Sequence, residues 1–135
     1  MKRVFVDTNV FLRYFTGDDR QQHRQALALF QEAADGAIKL VTGPPVLFEM
    51  AWALRRAYGL GKPDVLYTLE AIAGMPGLTI TDAPVVERAI KRARTSGQEF
   101  ADAYIAASAE AAGADAVATF NLKDFRKLGA PLYRL

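Results

Sequence analysis

A short apolar run, Val4-Phe5-Val6, gives way at once to Asp7-Thr8-Asn9, after which apolar residues resume at Val10, Phe11 and Leu12. Few folds accommodate that switch. The run suits a buried strand that surfaces at its carboxyl end. Asp, Thr and Asn are helix-capping residues, so a helix carrying Val10, Phe11 and Tyr14 is expected to start there. In an open parallel sheet, ligands bind outside the carboxyl ends of the strands. Asp7 is therefore placed as a helix cap, as a ligand for something positive, or as both.

The strand-then-helix pattern recurs along the chain. Ile38–Val41, Leu78–Thr81 and Ala116–Thr119 read as further strands, and Pro131–Arg134 as a last short one. Between them, helical periodicity covers Arg20 to Asp35, Pro45 to Tyr58, Asp64 to Ala73, Pro84 to Thr95 and Phe100 to Ala112, with one helical turn at Lys123–Lys127. Asp82 is expected to cap the helix that follows it, and Thr16-Gly17-Asp18-Asp19 to turn the chain and cap the next. Strands separated by helices predict βαβ units with right-handed crossovers. The expected fold is α/β, a parallel sheet of four to five strands with helices on both faces.

At 135 residues and 51% hydrophobic content, one domain spanning residues 1–135 is expected. There is no apolar run long enough to span a bilayer. The amino terminus leads straight into the first strand, leaving no room for a signal peptide, and cysteine is absent. A cytoplasmic location is expected on those grounds. The net charge of +2 permits a nucleic-acid partner without arguing for one.

Three carboxylates stand out. Asp7 follows the first strand, and Glu49 lies in the helix after the second, on the flank of its apolar stripe. Asp102 interrupts Phe100-Ala101-Asp102-Ala103-Tyr104-Ile105-Ala106-Ala107. A charge in so apolar a run is costly unless it is paired or coordinates a metal, and no lysine or arginine lies within one helical turn of it. Thr119, Asn121 and Asp124 follow the fourth strand, which would bring them to the sheet edge that Asp7 occupies. Taken singly, Asp7 and Asp124 read as caps, Glu49 as a solvated residue and Glu99 as a charge favoured at a helix start. Converging from separate elements, such oxygens suit Mg²⁺ or Mn²⁺. A site of that kind hydrolyses phosphodiesters by orienting and acidifying a water.

Val-Asp-Thr-Asn-Val at the start, an isolated Glu after a proline-rich turn, Phe-Ala-Asp-Ala-Tyr-Ile-Ala-Ala, and Ala-Thr-Phe-Asn with Lys-Asp-Phe together resemble the PIN domain family. Size and order fit its VapC branch, the ribonuclease toxins of type II toxin–antitoxin modules. The resemblance implies a Rossmann-like α/β/α sandwich, Mg²⁺ or Mn²⁺ dependence, endoribonuclease activity and a homodimer. A VapB antitoxin whose tail fills the active-site groove is implied as well. Matched position by position, Asp7, Glu49 and Asp102 are the core acids, and Thr8, Asn9 and Thr119 the polar residues that hold Asp7 and the bound water. The fourth acidic position falls on Asn121, a departure that adds no charge and leaves Asp124 as the candidate to supply it.

A nuclease needs cations near its cleft. Arg13, one helix from Asp7, and Arg88 and Arg92 on a basic helix face are the candidates for touching RNA. Phe48 and Trp52, four apart and off the apolar stripe of their helix, form a candidate partner or dimer surface. The alternative to an enzyme is a non-catalytic PIN-like module that binds RNA or protein, with Asn121 marking a degraded site. Asp7 as a phosphoryl-transfer nucleophile is weaker, because Asn9 stands where such chemistry often uses a second acid.

Overall fold

The computed structural model describes residues 1–135. Three parallel strands, β1 (Arg3–Phe5), β2 (Lys39–Thr42) and β3 (Leu78–Ile80), form one sheet in the order β1-β2-β3. Arg3 pairs with Lys39 and Leu40 with Leu78, so β2 is central. Its Leu40 and Thr42, which share one face, are fully buried, while Val41 on the other face is half-buried. Seven helices accompany the sheet: α1 (Thr8–Thr16), α2 (Arg20–Ala34), α3 (Pro44–Arg56), α4 (Lys62–Ala73), α5 (Ala83–Ser96), α6 (Phe100–Ala111) and α7 (Leu122–Lys127). The α/β layering is that of the expected fold.

The strand count is lower than expected. Ala116–Thr119 and Pro131–Arg134 do not join the sheet; they meet only each other, through one parallel bridge between Val117 and Leu132. Val117 N–H donates to the Pro131 carbonyl at 2.8 Å and Tyr133 N–H to the Val117 carbonyl at 2.8 Å. The physical reason is composition. Ala114, Asp115 and Ala118 are exposed, and alanine and aspartate offer a sheet neither β-branching nor apolar area. As a result β1 is an edge strand, and its Phe5 is 60% exposed.

One of two expected helix caps differs from the sequence reading. Asp19 caps α2 as expected, its carboxylate accepting the Gln22 N–H at 3.0 Å. Asp82 stands at the cap position of α5 but makes no capping bond, because its backbone is left-handed (φ 56°). Glycine is required at Gly77, where a Cβ would collide with the Ala33 carbonyl oxygen. That closeness lets the turn before β3 press on the end of α2. The core is continuous, from Phe11 and Phe30, stacked at 5.5 Å, through Leu47, Met50 and Leu69 to Ala89 and Ala103. No helix is long and apolar enough to cross a membrane.

Candidate active site

Two strand ends, stitched together, set up the site. The buried Thr42 hydroxyl donates to the Val6 carbonyl at 3.0 Å, tying β2 to β1 one residue before Asp7. Asp7 then caps α1, one carboxylate oxygen accepting the Thr8 N–H at 2.7 Å. The Thr8 side chain is buried at 7% exposure, yet its hydroxyl has no hydrogen-bond partner. Leaving such a group unmade costs about 1–3 kcal/mol.

Beyond β2, Gly43 caps α3 with a Cβ position only 2.6 Å from the Thr81 hydroxyl, so a larger residue there would have to displace that side chain. Pro44 and Pro45 supply the first turn without needing donors. Val46, Leu47, Met50 and Leu54 bury one face of α3. On another face lie Glu49, Trp52, Ala53 and Arg56, spaced three, four and seven apart. They line a cleft of about 970 Å³ with Asp7, Thr8 and Asn9, while Glu99, Phe100 and Ala101 come from the start of α6. Trp52 is 65% exposed. Phe48 is half-buried, its ring 5.5 Å from that of Phe100 and 4.9 Å from that of Tyr104.

The cleft is mixed in charge. Arg55 is committed, giving two hydrogen bonds to one Glu99 oxygen at 3.2 and 2.9 Å and a third to the Leu60 carbonyl at 3.1 Å. Arg56 forms none of the chain's ion pairs. It is the uncommitted cation of the cleft.

Asp102 does not line that cleft. It sits half-buried in the first turn of α6, and burial pushes its carboxyl above the ordinary carboxylate range, reinforced by the charges of Asp124 and Glu99. Asp124 belongs to a polar chain at the start of α7: the Asn121 amide donates to Asp124 at 3.1 Å and the Asn121 N–H to the Thr119 hydroxyl at 3.0 Å. Burial and the nearby Asp82 charge also raise the Tyr104 hydroxyl.

The expected site residues thus fall into two neighbouring groups. Asp7, Thr8, Asn9 and Glu49 share the cleft; Asp102, Asp124, Asn121 and Thr119 belong to the α6–α7 side, with Glu99 touching both. No three carboxylate or imidazole side chains converge tightly enough to hold one ion by themselves. The donors are nonetheless of one kind, carboxylate and hydroxyl oxygen. That chemistry fits Mg²⁺ or Mn²⁺, which bind through one or two carboxylates and keep several waters.

Among the expected cations, Arg13 is tied to Gln22 at 2.6 Å and to Asp18 at 3.3 Å, beside a separate cavity. Asp18 also accepts the Tyr58 hydroxyl at 2.7 Å, and with Thr16 these bonds hold its carboxyl below the ordinary range. Arg88 and Arg92 line a different pocket altogether. Sequence reasoning passed over Trp52, Arg55 and Arg56 as parts of the cleft. The spacing of Trp52 and Arg56 from Glu49 was the signal for those two.

The profile of the PIN domain family matches residues 4–131. The chain is a PIN domain. Among solved structures, this PIN domain is similar to the VapBC2 complex of Rickettsia felis, crystallised on a DNA fragment from its promoter. The likeness covers 98% of each chain at 16% identity and a TM-score of 0.37. No curated protein matches the chain.

Proposed function

We propose that this PIN domain is a metal-dependent endoribonuclease of VapC type. The reading rests on membership of a family whose members are generally nucleases, and one observation carries it: Asp7 and Glu49 face one cleft beside a buried hydroxyl that has no partner. Asp7 and Glu49 in the cleft, with Asp102 and Asp124 from the neighbouring α6–α7 side, would supply carboxylate oxygens to Mg²⁺ or Mn²⁺ that keeps several waters; the ion would supply a more acidic water and neutralise charge on the phosphodiester. The protein's own part is positional. The Thr8 N–H holds Asp7 in place at a helix start, which favours negative charge. Thr8, with Asn9, offers oxygens that orient the attacking water. Thr119 and Asn121 fix Asp124, and the raised pKa of Asp102 marks a carboxylate whose ionisation a cation would favour. Arg56 gives the leaving strand a phosphate contact.

A VapB-type antitoxin filling this cleft, a homodimer using exposed Trp52, and a cytoplasmic location complete the proposal. A second reading, a non-catalytic module that binds RNA or protein, is favoured by Asn121, which turns its amide to Asp124 instead of adding a charge.

Total cellular RNA incubated with the purified protein tests both. Cuts at discrete sites that need Mg²⁺ or Mn²⁺ and vanish with chelator or with Asp7→Asn establish the nuclease. A folded, antitoxin-free protein that binds RNA and never cuts it establishes the binding module.

A further inference from the structure

We propose that a basic pocket between α5, α6 and α7 grips the phosphodiester backbone of single-stranded RNA several nucleotides from the bond being cut; this rests on the ribonuclease reading above. The pocket, of about 360 Å³, is lined by Arg88, Lys91 and Arg92 of α5 and Lys127 of α7, with Glu110 of α6 its one acid. It shares no residue with the acidic cleft.

Arg92 fixes the sign of the pocket wall. One of its guanidinium nitrogens pairs with Glu110, and a guanidinium cannot shed its proton, so the positive charge there is permanent. Lys91 and Lys127 are exposed and take part in no ion pair of the chain. Four cations against one carboxylate select an anion.

The shape selects which anion. No aromatic side chain lines the pocket, so it offers no ring for a base, and contacts to phosphates read a backbone without reading its sequence. Positions 88, 91, 92 and 95 make one stripe of α5, about 10 Å long at 1.5 Å per residue. That length exceeds a single phosphate group and suits successive phosphates of one strand.

Two helices connect this pocket to the acids. Along α6, Glu110 lies eight residues beyond Asp102, about 12 Å at helical rise. Along α7, Lys127 follows Asp124 by three residues. A strand engaged at Asp102 and Asp124 therefore reaches the basic pocket within a few nucleotides.

Fluorescence anisotropy with a labelled unpaired RNA of 16 nucleotides, in chelator so that nothing is cut, tests this. Charge reversal at two exposed lysines outside the pocket, Lys2→Glu with Lys39→Glu, is the control and should weaken binding less than twofold. The same reversal in the pocket, Lys91→Glu with Lys127→Glu, should weaken it at least tenfold. The slope of log affinity against log salt should fall by about 1.4, roughly 0.7 for each phosphate no longer neutralised. Lys91→Arg with Lys127→Arg should bind like the parent. If the charge-reversed protein unfolds, Lys91→Gln with Lys127→Gln is read instead, with the same expectations. Equal losses in the pocket and control variants, no loss in the pocket variant, or an unchanged salt slope overturns the proposal, as does binding to anionic lipid vesicles or polyglutamate that is lost while RNA binding stays. The two readings fail separately: a protein that never cuts RNA but grips long RNA through these lysines loses only the nuclease, and one that cuts RNA while ignoring them loses only the pocket.

Discussion

Asp7 and Asp102 both stand at the start of a helix, yet they live in opposite electrostatic settings. Asp7 is the cap of α1, exposed, and bonded to the backbone N–H of the next residue. The helix end itself offsets its charge. Asp102 is inside the first turn of α6, half-buried, with two further acids near it and no cation in reach along its helix. One carboxylate is already accommodated by local structure; the other is held in a state that only an arriving positive charge relieves. Acids that look equivalent in a motif therefore do different work. In the proposed metal site, Asp7 would be a ligand already held in place, and Asp102 an acid whose ionisation a cation would favour.

The sharpest way to break this comparison is Asp7→Asn. Asparagine caps a helix as well as aspartate, so thermal unfolding should move by less than about 0.5 kcal/mol. RNA cleavage should fall by more than about 100-fold, since even partners one step removed from a metal cost roughly 10–100-fold. Retained cleavage removes Asp7 from the chemistry. Next in size is Thr8→Val, which deletes the unpartnered hydroxyl while keeping the shape. Urea unfolding should show stability unchanged or improved, because no hydrogen bond is lost, while cleavage drops about tenfold. A loss of stability would mean the hydroxyl has a structural partner after all.

Asp102→Asn should do what Asp7→Asn cannot, and stabilise the metal-free protein. The sign follows from the raised pKa. Ionisation is harder in the folded chain than in the unfolded one, so at neutral pH the ionised group penalises the fold. The penalty fades as pH falls through the raised folded value and is gone below the ordinary 3.8. Differential scanning calorimetry should give the variant a higher Tm at pH 7, with the gap closing under acid. Mn²⁺ should raise the Tm of the parent more than that of the variant. A variant less stable at pH 7 contradicts the assignment. The smallest effect belongs to Asp124→Asn, which should lower the pKa of Asp102 as followed by carbon-13 NMR, because one of the charges that raises it is gone. An unmoved titration would mean burial alone sets it.

Much of the first 110 residues was legible because strong local signals agree with the packing. The Val4–Asn9 switch, the Gly43–Pro45 turn and the apolar stripe of α3 each name one outcome, and the structure has it. The region after α6 was misjudged because Ala116–Thr119 has the length of a strand and two β-branched residues, Val117 and Thr119, whereas joining the sheet depends on what the neighbouring edge can bury. For the site, the sequence singled out the acids but not their division into two groups, which depends on where α6 and α7 lie in space. Arg13 illustrates the same limit. Its nearness to Asp7 along the chain was visible, whereas its bonds to Gln22 and Asp18 come from the return of α2. Arg55 was hidden likewise, since its partner Glu99 lies 44 residues away.

The thin anchoring of α7 has a consequence in time. Only Phe125 and Leu128 are buried here, and the segments on either side of the helix share a single bridge and touch the core only through half-buried Val117, Ala130 and Leu132. Asp7 and Glu49, by contrast, ride on elements whose opening requires taking apart the Thr42–Val6 stitch and the main core. Amides of α7 should then exchange with solvent water far sooner than those of β2 and α3. Asp124 would be released and recaptured many times within the lifetime of the folded domain. The two halves of the site have different clocks, and the slower one holds Asp7.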